Sequence, residues 1–175
     1  MWVFGYGSLL WNPGFDPAAR RRAVLADYHR SFCMLSIHHR GTVDHPGLVL
    51  ALDEKPGATC TGVAFQVRQD EEDTVLSYLR ERELISSAYV ERHVGLTLDD
   101  GAEVEALAYV IDGAHEQYCQ FPLEQQAQMI ASAVGGRGPN TEYLFNTADH
   151  LAEMGIRDTE MEWLTTRVRR LLDGK

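Results

Sequence analysis

The residues best suited to chemistry near the start of the chain form a short glycine-rich loop, Gly5-Tyr6-Gly7-Ser8-Leu9. Glycines on both sides of Tyr6 let the backbone turn tightly and bring several N–H groups towards one point, which can hold a carboxylate or a developing oxyanion. Glycines after a strand more often form a simple turn, so the sequence by itself favours a turn and leaves anion binding as the alternative. Ser8 is a poor candidate nucleophile, because the chain has no Gly-x-Ser-x-Gly motif.

A second candidate is a glutamate on the apolar face of a predicted helix. Residues 70–83 have helical composition, and Leu76, Leu79 and Glu83 are spaced i, i+3 and i+7, so they share one face. Glu81 falls on a different face, where exposure to solvent is the ordinary outcome. Helical phase therefore distinguishes the two glutamates, and Glu83 is the one whose position needs an explanation.

Two interpretations account for a carboxylate at position 83. It forms an ion pair with a nearby cation such as Arg82 or Arg92, or it keeps a raised pKa that suits proton transfer near neutral pH. Periodicity alone favours the structural ion pair over the catalytic role.

The histidines and the remaining glycines do not indicate a cofactor site. The densest group of possible metal ligands is His38, His39, Asp44 and His45, but neither His-Glu-x-x-His nor a zinc-type spacing of His and Cys occurs. These side chains are interpreted as solvated loop residues, and no metal is predicted. The glycine-dense stretch 135–139 lacks the Lys and the Ser or Thr of a phosphate-binding loop, so it is interpreted as a connector.

Composition limits the classes of partner. The 175 residues, 45% of them hydrophobic, predict one globular domain over residues 1–175 with a continuous core. A formal charge of −10 argues against nucleic acid, because tight binding to the phosphate backbone needs clustered Lys and Arg that release counterions. No window approaches the roughly 20 apolar residues that a membrane helix needs, so no membrane partner is expected.

The start of the chain and the cysteines bear on location. Met1 leads directly into the strand-like Trp2-Val3-Phe4 without a charged leader. Cys33, Cys60 and Cys119 are odd in number, widely separated and without a Cys-x-x-Cys pair, which suits reduced thiols in a reducing compartment. We therefore expect a cytoplasmic protein.

The elements that must position these residues begin with strands. A short apolar run over residues 2–6 meets several chain breakers, which predicts a buried strand that opens into the first loop. Asp99-Asp100-Gly101 is typical of a hairpin turn. Further strands are predicted over residues 30–36, 48–52, 60–67, 89–98 and 104–111.

Helical spacing follows in the last third of the chain. Two helices are predicted by apolar faces, and a third by Asp158 as N-cap with basic residues in its last turn. Strands followed by helices imply an α+β fold class. The faces are Leu123, Ala127, Ile130 and Val134; Leu144, Thr147, Leu151 and Met154; and Met161, Leu164, Val168 and Leu171.

Read together, these segments resemble the ChaC family of γ-glutamylcyclotransferases, from Trp2 to Leu172. Several ordered segments are far more specific than any one of them. The segments that carry the resemblance are residues 2–11 (WVFGYGSLLW), 40–42 (RGT), 46–48 (PGL), 60–64 (CTGVA), 78–83 (YLRERE) and 138–145 (GPNTEYLF).

The resemblance implies a fold, an activity and a site. It implies a compact mixed β-barrel with surrounding helices, and a lyase that cleaves glutathione to 5-oxoproline and cysteinylglycine without metal or organic cofactor. It makes Glu83 the catalytic acid and base, which reverses the preference drawn from periodicity. Tyr6-Gly7-Ser8-Leu9 becomes the γ-glutamyl-binding loop, and the residues expected to bind substrate are Val3, Phe4, Gly5, Tyr6, Gly7, Ser8, Leu9, Tyr89 and Tyr143.

One departure from the family pattern follows Glu83. Relatives often carry a glycine before the next tyrosine, where this chain has Leu84-Ile85-Ser86-Ser87-Ala88, so the loop is expected to be stiffer. Two alternatives to the hypothesis of glutathione cleavage stay open. One is a cyclotransferase for other γ-glutamyl amino acids or amines, and the other is a non-catalytic γ-glutamyl-binding or regulatory protein.

Overall fold

A computed structural model describes residues 1–174 of the chain. Five strands form a closed barrel with the neighbour order β1-β3-β2-β4-β5. β1 runs antiparallel to β3 and parallel to β5, and β4 runs antiparallel to β2 and β5. The strands are β1 (Trp2–Gly5), β2 (Ala19–Ser36), β3 (Gly47–Gln66), β4 (Tyr89–Leu98) and β5 (Glu103–Ile111).

By their internal contacts, the residues group into two compact units, each described by itself. The first contains Met1–Ser31 and Ala51–Glu116, and the second contains Phe32–Leu50 and the chain from Gln117 onward.

The core of the first unit comes from alternate residues of its strands. In β4 and β5, for example, Val94, Leu96, Ala106 and Ala108 belong to one buried cluster that also includes Phe4. Successive side chains of a strand point to opposite faces, so this alternation puts one face of each strand into a common interior.

A second apolar cluster holds the helix that carries Glu83. After a 3₁₀ turn (Gln69–Glu71), α2 (Glu72–Glu83) buries Val75 and Leu79 against Val3 and Tyr109. At the start of the helix, Glu72 accepts a hydrogen bond from the Met1 ammonium at 2.9 Å. The N-terminal turn of a helix favours an acidic side chain, so this contact suits the helix dipole. A short helix, α1 (Ser8–Trp11), directly follows β1.

The second unit contains three helices and a small hairpin. Asn140, the first residue of α4, is fully buried and pairs with both main-chain groups of Leu48, accepting from its N–H at 2.8 Å and donating to its C=O at 2.9 Å. Asp158 caps α5 by accepting from the Met161 N–H at 3.0 Å. The elements are α3 (Leu123–Ser132), β6 (Val134–Gly135), β7 (Gly138–Pro139), α4 (Asn140–Glu153) and α5 (Thr159–Asp173).

The observed elements confirm the α+β class and correct several boundaries. The strands predicted over residues 48–52 and 60–67 are parts of the single strand β3, and the strand predicted over residues 30–36 is the end of the much longer β2. Val134, predicted on a helical face, is 56% exposed and belongs to β6. Within the described residues, no helix is both long and apolar enough to cross a membrane.

Candidate active site

The first loop begins where β1 meets an aromatic ring. A Cβ on Gly5 would lie 2.8 Å from Cε2 of Phe65, closer than packed carbons approach, so the end of this strand requires glycine. After the loop, the N–H of Leu10 donates to the carbonyl of Gly7 at 2.8 Å, which closes the first turn of α1. The first N–H groups of a helix have no acceptor within it, so those of Ser8 and Leu9 are candidates for ligand binding.

Tyr6 is held from two sides within the first unit. Its hydroxyl donates to the carbonyl of Tyr109 at 2.9 Å, and its own carbonyl accepts from Nε of Arg30 at 2.7 Å. Arg30 also donates to the carbonyl of Thr61 and is itself buried. The Tyr6 side chain therefore points into the protein, where it fixes the conformation of the loop.

Three other predicted binding residues are parts of the core. Val3 and Phe4 are fully buried and Leu9 is 5% exposed, with Val3 and Leu9 in the cluster against α2 and Phe4 in the barrel cluster. Any contribution of these residues to a ligand has to come from their main-chain groups. Ser8, by contrast, is exposed at the start of α1.

Glu83 is the last residue of α2, and its side chain is only 17% exposed. Burial raises the pKa of its carboxyl, and the neighbouring Arg82 guanidinium opposes part of that rise. The C-terminal end of a helix disfavours an anion and acts in the same direction as burial. Glu81 is exposed, so the distinction that helical phase made between the two glutamates is confirmed. The buried stripe is centred on Val75 and Leu79.

Arg82 joins the end of α2 to the first loop. Its Nη2 donates to Oγ of Ser8 at 3.1 Å, and its Nη1 donates to the carbonyl of Asn12 at 2.5 Å. Its Nε lies 3.4 Å from Oε1 of Glu83. Arg92, the other cation considered as a partner, lies 3.5 Å from Oε2 of Glu54 instead. The structure thus brings both Glu83 and Ser8 to the guanidinium of Arg82.

A second polar network, which the sequence did not indicate, lies beside this group. The hydroxyl of Tyr109 donates to Oε1 of Glu91 at 2.8 Å, and Arg80 donates to both carboxylate oxygens of Glu91 at 3.1 and 3.0 Å. Burial and then Glu91 raise the pKa of the Tyr109 hydroxyl, and the charge of Glu83 adds to this rise. The hydrogen bond from Arg80 lowers the pKa of Glu91. The hairpin turn predicted at residues 99–101 was the available signal, since a hairpin centred there places Glu91 and Tyr109 opposite each other, as they are in β4 and β5.

The two remaining predicted tyrosines lie in different units. Tyr89, the first residue of β4, is half-buried and pairs with Ile111 in the first unit. Tyr143 belongs to α4 in the second unit, where its hydroxyl accepts from the Leu50 N–H at 3.1 Å and its ring meets Phe32 edge-on at 6.1 Å. The guanidinium of Arg40 lies 5.9 Å from the centre of the Tyr143 ring.

Histidines and cysteines do not form a cluster in the described part of the chain. Over residues 1–174, no group of three or more His, Cys, Asp or Glu side chains could hold a metal ion. His45 instead shares a hydrogen bond of 2.9 Å with Ser132. The three cysteines are buried thiols that form no disulfide, and burial raises the pKa of Cys119 to about 11. A cavity of about 480 Å³ between α4 and α5 is lined by none of the predicted site residues.

Comparison with known families identifies the group to which this architecture belongs. A model of the family described as ChaC-like protein matches residues 1–171. The chain belongs to the ChaC-like family. The resemblance drawn from the sequence segments is therefore confirmed.

Relatives within the ChaC-like family occur in distant organisms. The glutathione-specific γ-glutamylcyclotransferase of Escherichia coli (strain K12) is 36% identical over 98% of this chain and 74% of that protein. The enzyme of the same name from Schizosaccharomyces pombe is 31% identical over 97% of this chain and 93% of that protein. A crystal structure of the glutathione-specific enzyme from yeast has a TM-score of 0.83 at 23% identity and covers 98% of both chains. That likeness confirms the predicted barrel with helices.

Proposed function

We propose that this ChaC-like protein is a γ-glutamylcyclotransferase that cleaves glutathione to 5-oxoproline and cysteinylglycine, with Glu83 as its acid and base. The observation that carries the proposal is the largely buried Glu83 beside the first loop. Burial raises its pKa, and Arg82 contacts both Glu83 and Ser8 of the loop. The names of the relatives from bacteria, fungi and mammals support the choice of substrate.

The proposed reaction is an intramolecular acyl transfer. N–H groups of the first loop hold the γ-glutamyl group, and Glu83 takes a proton from its α-ammonium. The free amine attacks the γ-carbonyl, forming the C–N bond of a five-membered lactam. The bond to the cysteinyl nitrogen breaks as Glu83 returns the first proton to that nitrogen. The attacking nitrogen loses a second proton as it becomes the lactam N–H, and this proton passes to the released amine, which leaves as an ammonium. No water is consumed, so the atoms of glutathione are divided between the two products.

Proximity accounts for much of the acceleration in this scheme. Nucleophile and electrophile belong to one substrate, and well-oriented intramolecular reactions reach effective molarities of about 10⁵ to 10⁸ M. Proton transfer by a positioned carboxyl adds typically about 10² to 10⁴-fold. These two effects make a covalent enzyme intermediate unnecessary.

Main-chain groups account for most of the proposed substrate contacts. Val3, Phe4 and Leu9 have buried side chains, so in our proposal they support the loop and only their backbone can face the ligand. Tyr6 fixes the loop through its hydrogen bond to Tyr109. Tyr89 and Tyr143 remain proposed binding residues, in keeping with the family pattern.

The product of the first turnover tests the reaction class. Glutathione is incubated with the purified protein, and 5-oxoproline, glutamate and cysteinylglycine are measured by mass spectrometry. Lactam closure predicts 5-oxoproline as the initial product. N-acetylated glutathione should not react, because its α-nitrogen is no longer a nucleophilic amine. Free glutamate as the initial product, or turnover of the acetylated compound, would contradict the cyclotransferase proposal.

Competition experiments test the substrate range. Other γ-glutamyl amino acids and γ-glutamyl amines are offered together with glutathione, and kcat/KM is compared for each. The proposal predicts a clear preference for glutathione, and equal turnover of all γ-glutamyl compounds would favour the broader cyclotransferase. We also propose that residues 1–175 act as one domain in the cytoplasm, and three cysteines that form no disulfide support a reducing compartment.

A further inference from the structure

Each nitrogen of the Arg82 guanidinium faces at least one oxygen of a neighbouring residue. Nη2 faces Oγ of Ser8 at 3.1 Å, Nη1 reaches the carbonyl of Asn12 at 2.5 Å and the hydroxyl of Tyr78 at 3.2 Å, and Nε faces Glu83. A planar fork with five N–H donors can serve several acceptors at fixed angles, and a lysine ammonium on a flexible stem cannot. The contact set therefore depends on geometry as well as on charge.

The contacts with the loop are closer than the contact with the carboxylate. Ser8 accepts at 3.1 Å, within the ordinary range of N–H···O hydrogen bonds, and Asn12 accepts at the shorter distance of 2.5 Å. Nε, by contrast, lies 3.4 Å from Oε1 of Glu83, beyond the usual range for N–H donors. Arg82 thus binds the loop firmly and leaves the carboxylate oxygens of Glu83 able to accept a proton.

A second contact one turn earlier on α2 holds the same segment. Gly14 has a φ of +81°, and a Cβ at this position would overlap the phenol of Tyr78. The chain after α1 therefore passes directly over the Tyr78 ring, and the carbonyl of Asn12 two residues earlier meets Arg82. Tyr78 and Arg82 are spaced i and i+4, so they present one continuous surface to residues 8–14.

We propose that Arg82 is a positioning residue, which fixes the substrate-binding loop relative to Glu83 so that the α-amine of the substrate lies within reach of the carboxylate. This inference rests on the proposed function. It assigns to Arg82 a role distinct from that of an ion-pair partner for Glu83. Loss of the guanidinium should weaken substrate capture even when the positive charge is kept.

Two substitutions separate geometry from charge. Arg82→Gln removes both the fork and the charge, and Arg82→Lys keeps the charge but cannot serve Ser8 and Asn12 together. We expect both variants to raise KM for glutathione by roughly 10 to 100-fold, since one or two hydrogen bonds from a charged donor are lost. Arg80→Gln is the matched control, because it removes the same charge from the same helical turn without touching the loop. It should change KM by no more than about fivefold.

The pH profile gives a second readout. The charged and titratable groups around Glu83 are Arg82 on its own helix and Tyr109 of β5, whose hydroxyl is bound to Glu91. Arg82 lowers the pKa of Glu83, so its neutralisation in Arg82→Gln should move the acid limb of kcat to higher pH. Arg82→Lys should leave that limb in place while KM stays high. A merely structural role would not shift the acid limb of kcat in one variant and leave it in place in the other.

Hydrogen exchange of the backbone tests the inference without relying on turnover. Amides in residues 7–14 should exchange faster in both Arg82 variants than in the wild type and in Arg80→Gln, with unchanged protection in β4 and β5. If the wild-type protein makes no 5-oxoproline, the proposed function is refuted. In that case, hydrogen exchange in residues 7–14 still tests whether Arg82 holds the loop. If the wild type is active, a normal KM in Arg82→Lys, or unchanged exchange in residues 7–14, would overturn the positioning role.

Discussion

The substitution Glu83→Gln tests the chemistry at the centre of the proposal. Glutamine keeps the size and shape of the side chain but cannot accept the ammonium proton, so kcat should fall by at least roughly 10²-fold. Glu91 is unsuited to replace the lost base, because Arg80 and Tyr109 engage its oxygens at 2.8 to 3.1 Å and the hydrogen bond from Arg80 lowers its pKa.

The same substitution should leave the fold nearly unchanged. The contact between Nε of Arg82 and Oε1 of Glu83 is long, at 3.4 Å, so its loss should cost little of the free energy of unfolding. Because burial raises the pKa of Glu83, its contribution to folding stability is fully present below the ordinary glutamate pKa and is lost as pH rises through the raised value. The neutral glutamine amide resembles the protonated carboxyl, so at pH 7 the variant does not have to bury a charged group. The stability gained in this way offsets the loss of the ion pair with Arg82.

The assay measures 5-oxoproline formation and thermal unfolding in parallel. Glu81→Gln, an exposed position two residues earlier on α2, is the matched control and should keep wild-type activity. Loss of activity in the Glu81 variant with normal turnover in the Glu83 variant would refute the assignment of the acid and base. A large drop in Tm for Glu83→Gln would instead show that the carboxylate has a structural role.

Three further predictions concern pH, metals and stability. Since the base must be ionised, kcat/KM should fall as pH decreases through the raised pKa of Glu83, and an acid limb at or below the ordinary glutamate value would contradict this. EDTA should leave activity unchanged, because the proposed steps use no Lewis acid, and loss restored by one divalent cation would refute them. Asn140→Ala should lower the free energy of unfolding in urea by about 2–4 kcal/mol by stranding the buried N–H and C=O of Leu48, whereas the exposed Asn146→Ala should not.

Features that depend on near neighbours in the chain were predictable. The phase of Glu83 on its helix follows from the apolar residues within two turns, and the cap at Asp158 follows from one side chain and the N–H three residues later. The turn predicted at residues 99–101 is confirmed, with the Gly101 N–H donating to the carbonyl of Leu98 at 2.9 Å. In each case the deciding contact lies within a few residues.

Strand boundaries were harder, because hydrogen bonds to distant partners set them. Residues 53–59 lack an apolar alternation, yet they continue β3 through the long, exposed middle of the strand. There the N–H of Gly57 donates to the carboxylate of Asp27 in β2 at 2.9 Å. Because β3 lies next to β2 in the barrel, pairing with that strand and side-chain contacts such as this one can extend a polar segment that no local pattern identifies.

The sequence by itself determined which residues are the candidates for the chemistry, and the tertiary structure decided how they are held. Composition and phase single out Glu83 and the glycine-flanked loop, since residue type and helical spacing are local properties. The hydrogen bond from Tyr6 to the carbonyl of Tyr109 joins residues 103 positions apart, and the one from Arg82 to Ser8 joins residues 74 apart. Such contacts depend on which strands pair and where α2 packs, so only the folded chain could show that Tyr6 points inward and that Arg82 reaches the loop.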